Sequence, residues 1–116
     1  MDLYTYRVAN YRVVDGDTIE VTLDLGFNTF RKEKLRLARI NAPEMKTPEG
    51  PLAKAHLSEI LTDKVLTVQT KKDEKDRYGR YIAEVWAQES LSKDLSKLSN
   101  INDIMVADGS AIYVTY

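Results

Sequence analysis

Two aspartates one glycine apart, Asp15-Gly16-Asp17, stand upstream of the run RLARINAPE, which opens on Arg36 and closes on Glu44. A second arginine, Arg80, follows the turn Tyr78-Gly79. Two acids offer hard oxygen ligands to a divalent cation. Two guanidinium forks match phosphate oxygens two bonds at a time and offset charge gathering on a phosphorus centre. One carboxylate can orient or deprotonate a water. Together these are the parts needed to break a phosphodiester.

Each part also has an ordinary reading. Asp-Gly is among the strongest hairpin signals, so Asp15 to Asp17 reads equally well as a turn. Arg36 alone is a strand arginine, Arg80 a residue after a turn, and Glu44 a loop carboxylate. His56, the only histidine, lies at the edge of an apolar helical stripe, where packing or capping is its expected use.

The elements that must carry these residues are mostly extended. Tyr6 to Val14 is aromatic and β-branched, and Thr18 to Asp24 alternates apolar and polar, so the two form a hairpin across Asp15-Gly16. A third strand runs from Phe30 or Lys34 to Ile40, and Pro43 ends its pairing. Pro51 belongs in the first turn of a helix. The stripe Leu52, Ala53, Leu57, Ile60 and Leu61 seals that helix against a sheet. Lys64 to Thr70 and Tyr81 to Ala87 are the fourth and fifth strands. The segment 88–100 is either a short amphipathic helix or an insertion. Asn100 caps a last helix over Ile101 to Asp108, with Gly109 as its terminator, and Ser110 to Tyr116 is extended. Five strands with a helix between the third and fourth predict an α+β, mostly β domain over 1–116: a five-stranded Greek-key barrel of the OB type.

The chain has 116 residues, no cysteine and a net charge of −1, so it fits one domain without disulfides or thiolate metal sites. No apolar run approaches the roughly 20 residues of a membrane span. MDLYTYRV reads as strand, not as a signal peptide. The expectation is a cytoplasmic chain as written, with a secreted mature form equally compatible. The overall charge opposes wholesale attraction to nucleic acid, but Arg31, Lys32, Lys34, Arg36 and Arg39 crowd one stretch against Glu33 alone. A second cationic cluster, from Lys71 to Arg80, flanks the same candidate site.

VVDGDTI (13–19), RLARINAPE (36–44) and KDRYGRYIAEV (75–85) resemble, in the same order, the three signature segments of the staphylococcal nuclease (thermonuclease) family. The similarity runs from about Tyr11 to about Val114. It implies an OB barrel with helices and calcium-dependent hydrolysis of single-stranded DNA or RNA to 3′-phosphate products. It implies Asp17 as a Ca2+ ligand with Asp15 in the outer shell, Asn41 and the backbone carbonyl of Ala42 as further ligands, Arg36 and Arg80 as phosphate clamps, and Glu44 as general base. Arg77 and Tyr78 would contact phosphate, and Tyr113 or Tyr116 would lie beside a base. A monomer is expected. The sequence departs from the family at Asn41, where well-known members have an aspartate. An amide oxygen still ligates calcium, but with one negative charge fewer. It also ends at Tyr116, before the family's last helix. A nuclease-like barrel that grips nucleic acid or a protein partner without cutting is the alternative that Asn41 suggests.

Overall fold

The computed structural model describes residues 4–75, 79–89 and 98–115. In chain order the elements are β1 (Thr5–Asp15), β2 (Thr18–Asp24), β3 (Phe30–Leu37), β4 (Ile40–Asn41), α1 (Glu49–Leu61), β5 (Val65–Lys75), β6 (Tyr81–Gln88), β7 (Ser99–Asn100), α2 (Ile101–Ala107) and β8 (Ile112–Tyr113). β1, β2 and β3 form an antiparallel meander, and β5 pairs with both β1 and β6. A short parallel ladder, Leu35 opposite Tyr81 to Leu37 opposite Ala83, joins β3 to β6 and closes a five-stranded barrel. Register breaks between Val8 and Asn10, and again between Val13 and Asp15, bend β1 so that it serves two neighbours.

Alternation supplies the core. Ile19, Val21 and Leu23 point inward from β2, as do Leu35 and Leu37 from β3, all of them buried. Ala53, Leu57 and Leu61 of α1 close one side, and Ile101 and Met105 of α2 another. The expected α1 stripe is therefore narrower than predicted. Leu52 is 70% exposed, because Gly50, Ala53, Leu57 and Leu61 form the buried row and Leu52 sits about 145° from its centre. Pro51 falls in the first turn of α1 as expected, the helix beginning at Glu49 after an N-cap at Pro48 that already has helical angles.

The third strand stops at Leu37, not Ile40. Arg39 has φ +68° and makes a turn, after which Ile40 and Asn41 pair with β8 in a separate two-stranded sheet. Asn100 caps α2 as expected, its Oδ1 accepting from the Asp103 amide at 2.9 Å, and Gly109 follows at φ +80°. Within 88–100, Gln88 ends β6 and Ser99–Asn100 form β7 on its edge. Residues 90–97, the part of that segment read as either a short amphipathic helix or an insertion, lie outside the described residues. Among the described residues no helix is long and apolar enough to cross a membrane.

Candidate active site

The β1–β2 turn is held by its own first acid, with the Asp17 amide donating to Asp15 Oδ1 at 3.0 Å. The Asp17 side chain is buried. Its Oδ2 accepts from the Ala42 amide at 2.8 Å and lies 3.4 Å from Arg36 Nη2. Gly16 is required by crowding: a Cβ there would lie 2.7 Å from that of Ala42 and 2.8 Å from that of Ala53. The acidic turn is thus pressed between the segment after β4 and helix α1.

Arg36 lies beside Thr18 in the β2–β3 ladder and is itself buried. Its Nη1 donates to the Leu37 carbonyl at 2.9 Å and its Nη2 to Asn41 Oδ1 at 3.1 Å. Arg80 reaches the same place from the loop before β6, donating from Nη1 to Thr18 Oγ1 at 2.9 Å. The Thr18 hydroxyl in turn donates to Asp17 Oδ1 at 3.2 Å. A continuous polar chain therefore links Asn41, Arg36, Asp17, Thr18 and Arg80. Thr18 was not singled out from the sequence, although its place after Asp17 and opposite Arg36 was a usable signal.

Asp17 has its pKa raised, first by burial and then by the neighbouring carboxyl of Asp15; the Ala42 amide and the Arg36 charge act the other way. A carboxylate whose charge is disfavoured in this way gains from a cation. Asp17, Asp15, the Asn41 amide and the Ala42 carbonyl offer only oxygen, which fits a hard ion such as calcium. The negative charge is modest, for among the described residues no group of three or more His, Cys, Asp or Glu side chains is placed to hold a metal.

The remaining expected residues are placed differently. The Glu44 side chain is 72% exposed and pairs with Lys46 Nζ at 3.2 Å, outside the chain of contacts around Asp17. Its backbone carbonyl accepts from the Thr47 amide and hydroxyl, which turns the loop into α1. Gly50 fits under this turn because any Cβ there would collide with the Glu44 carbonyl. The Tyr113 hydroxyl donates to Asp103 Oδ1 at 2.8 Å, and its ring lies 5.8 Å from the Arg39 guanidinium carbon. Arg77, Tyr78 and Tyr116 lie outside the described residues.

Tyr113 belongs to a clasp that sequence reasoning missed. Arg39 donates to both Glu84 oxygens at 2.7 Å and to Asp103 Oδ1 at 2.9 Å, while Asn100 Nδ2 donates to Glu84 Oε1 at 3.0 Å. The Arg39 carbonyl also accepts from the Val114 amide at 2.8 Å. Below it, the buried Asn102 accepts from the Val85 amide and donates to the carbonyls of Ala38 and Ala83. These contacts tie the Ala38-Arg39 turn, which leads into Asn41 and Ala42, to β6 and α2.

The family model described as staphylococcal nuclease homologue matches residues 34–116. The chain is 38% identical over 106 residues to a micrococcal nuclease of Shigella flexneri, covering 91% of this chain and 57% of that protein. It is 33% identical over 106 residues to an uncharacterized endonuclease of Escherichia coli, covering 90% and 60%. It is 35% identical over 100 residues to a thermonuclease of Staphylococcus hyicus, covering 80% and 55%. The chain thus spans somewhat more than half the length of these relatives. With the barrel, the order of its elements and the matched segments in agreement, the chain belongs to the staphylococcal nuclease homologue family.

Proposed function

We propose that this chain hydrolyses phosphodiester bonds of single-stranded DNA or RNA in a calcium-dependent reaction that leaves 3′-phosphate ends. The observation that carries this reading is the polar chain joining Arg36 and Arg80 through Asp17 and Thr18. Two cationic forks from distant parts of the sequence meet beside one buried carboxylate, an arrangement that suits a phosphate better than it suits folding alone. The names of the relatives support the nuclease part of this reading.

In this reading Arg36 and Arg80 bind the scissile phosphate and offset the charge that grows on its oxygens. Glu44 takes a proton from the attacking water, its carboxylate leaving Lys46 and turning toward the cleft two residues beyond the Ala42 amide. The new bond joins the water oxygen to phosphorus. The bond from phosphorus to the 5′-oxygen breaks, and that oxygen takes up a proton as it leaves. Calcium held by Asp17, Asn41 and the Ala42 carbonyl, with Asp15 behind them, would supply electrostatic activation of the phosphate and the water.

The test is cleavage of a single-stranded oligonucleotide with calcium and then with chelator. Glu44→Ala is expected to lower the rate by about 10²–10⁴-fold, and Arg80→Ala by about 10²–10³-fold. The second reading is a barrel that binds without cutting. It draws on the Glu44 carboxylate standing in solvent and on the Asn41 oxygen being engaged by Arg36. Tight binding without cleavage at any calcium concentration would select it.

A further inference from the structure

The fold sends the five cations of the 31–39 run to three different places. Arg31 pairs with Glu33 at 2.6 Å, and both line the open barrel mouth with Tyr4, Tyr6 and Tyr81. Arg39 is held in the clasp with Glu84 and Asp103. Lys32 and Lys34 remain, exposed on the same face of β3 as Arg36 and Phe30, since alternate residues of a strand share a face. Glu20, opposite Lys34, is engaged by Arg12 at 3.4 Å. Among the described residues neither lysine enters an ion pair. Beside them lies a shallow groove of about 300 Å³ lined by Glu20, Lys32, Glu33, Lys34 and Gly79. Gly79 immediately precedes Arg80, and Lys34 stands one same-face position from Arg36 on β3, so the groove neighbours the site.

We propose that this face of β3 is a track for the flanking nucleotides of a single-stranded substrate. Phosphates next to the one on Arg36 lie on Lys34 and Lys32, and a base stacks on Phe30. The track rests on the reading of Arg36 as a phosphate clamp. Same-face residues of a strand recur every ~6.8 Å, a repeat comparable with that of an extended polynucleotide backbone. From Arg36 to Phe30 the row runs about 20 Å along one strand. Phe30 is 52% exposed, and Phe27 at the hairpin tip is fully exposed. Aromatic rings beside a cationic line are the usual means of holding single strands without regard to sequence.

The test is fluorescence anisotropy with labelled oligothymidylates of two and eight nucleotides, with chelator present so that nothing is cut. Wild type is expected to bind the octamer more tightly than the dimer. The double variant Lys32→Ala/Lys34→Ala, its fold checked by circular dichroism, should lose about tenfold for the octamer and nothing for the dimer. Its salt slope should fall by about 1.4, two phosphates at roughly 0.7 each. Phe30→Ala should weaken octamer binding with no change of slope. Equal binding of the two lengths by wild type, or an octamer affinity and slope unchanged in the double variant, overturns the track. Cleavage with calcium is scored separately. A track that passes without cleavage removes the nuclease reading alone, and cleavage without any effect of the lysines removes the track alone.

Discussion

Asn41 is the residue on which the proposed chemistry of this site turns. Its amide oxygen faces Arg36 Nη2 at 3.1 Å, close to the buried carboxylate of Asp17. A carboxylate in its place would add a negative charge to the proposed cation seat and give Arg36 a second anionic partner. Asn41→Asp is therefore expected to lower the calcium midpoint, by about tenfold for roughly 1.4 kcal/mol of added attraction. Calcium titration followed by thermal shift reads the change, and an unchanged midpoint would rule it out. Gly16 works at the same scale by its size. Gly16→Ala must displace Ala42 or Ala53, so it is expected to destabilise by about 1–3 kcal/mol and to move the Asp17 carboxylate. Chemical denaturation and calcium affinity measured together would register both effects.

Among the elements, the short β4 needs the most outside support. Two residues of strand cannot hold a position unaided, and the turn before them carries a non-glycine residue at φ +68°. The Arg39 clasp supplies the restraint through Glu84 and Asp103. Arg39 is 44% exposed, so solvent screening keeps the clasp's worth at about 1 kcal/mol. A double-mutant cycle of Arg39→Ala with Glu84→Ala would measure it. The pH dependence has a definite sign. Asp103 is held below its ordinary value of 3.8, chiefly by its hydrogen bond from Arg39. Its contribution is complete above that value and is lost as pH falls below it through the lowered one. Followed by acid unfolding, wild type should therefore be more stable than Asp103→Asn at neutral pH, and the gap should close as pH falls through that acidic window. Convergence of the two curves at neutral pH instead would refute the assignment.

Across the whole molecule, closure of the barrel brings the two arginines together. Arg36 lies at the end of β3 and Arg80 just before β6, and these strands meet in the parallel ladder Leu35–Leu37 with Tyr81–Ala83. α1 lies over the acidic turn with Leu57 and Leu61 in the core. Leu57→Ala is expected to cost about 2–5 kcal/mol and to loosen the site beneath it, which denaturation and cleavage kinetics would both show.

The strands and their order were legible because alternation along β2 and the stops at Asp15-Gly16 and Pro43 are local signals. The residue types gathered near Asp17 were legible for the same reason: two acids, two arginines and an amide stand in motifs of fixed spacing. Their arrangement was not. Which arginine bonds which oxygen depends on Thr18 sitting opposite Arg36 and on Arg80 arriving across the β3–β6 seam, both long-range facts. Glu44 facing Lys46, Tyr113 turned to Asp103, and the division of five neighbouring cations among a barrel mouth, a clasp and an open face were likewise decided only by tertiary packing. A side chain's type is written in the chain, but its partner is set by whatever the closed barrel places beside it.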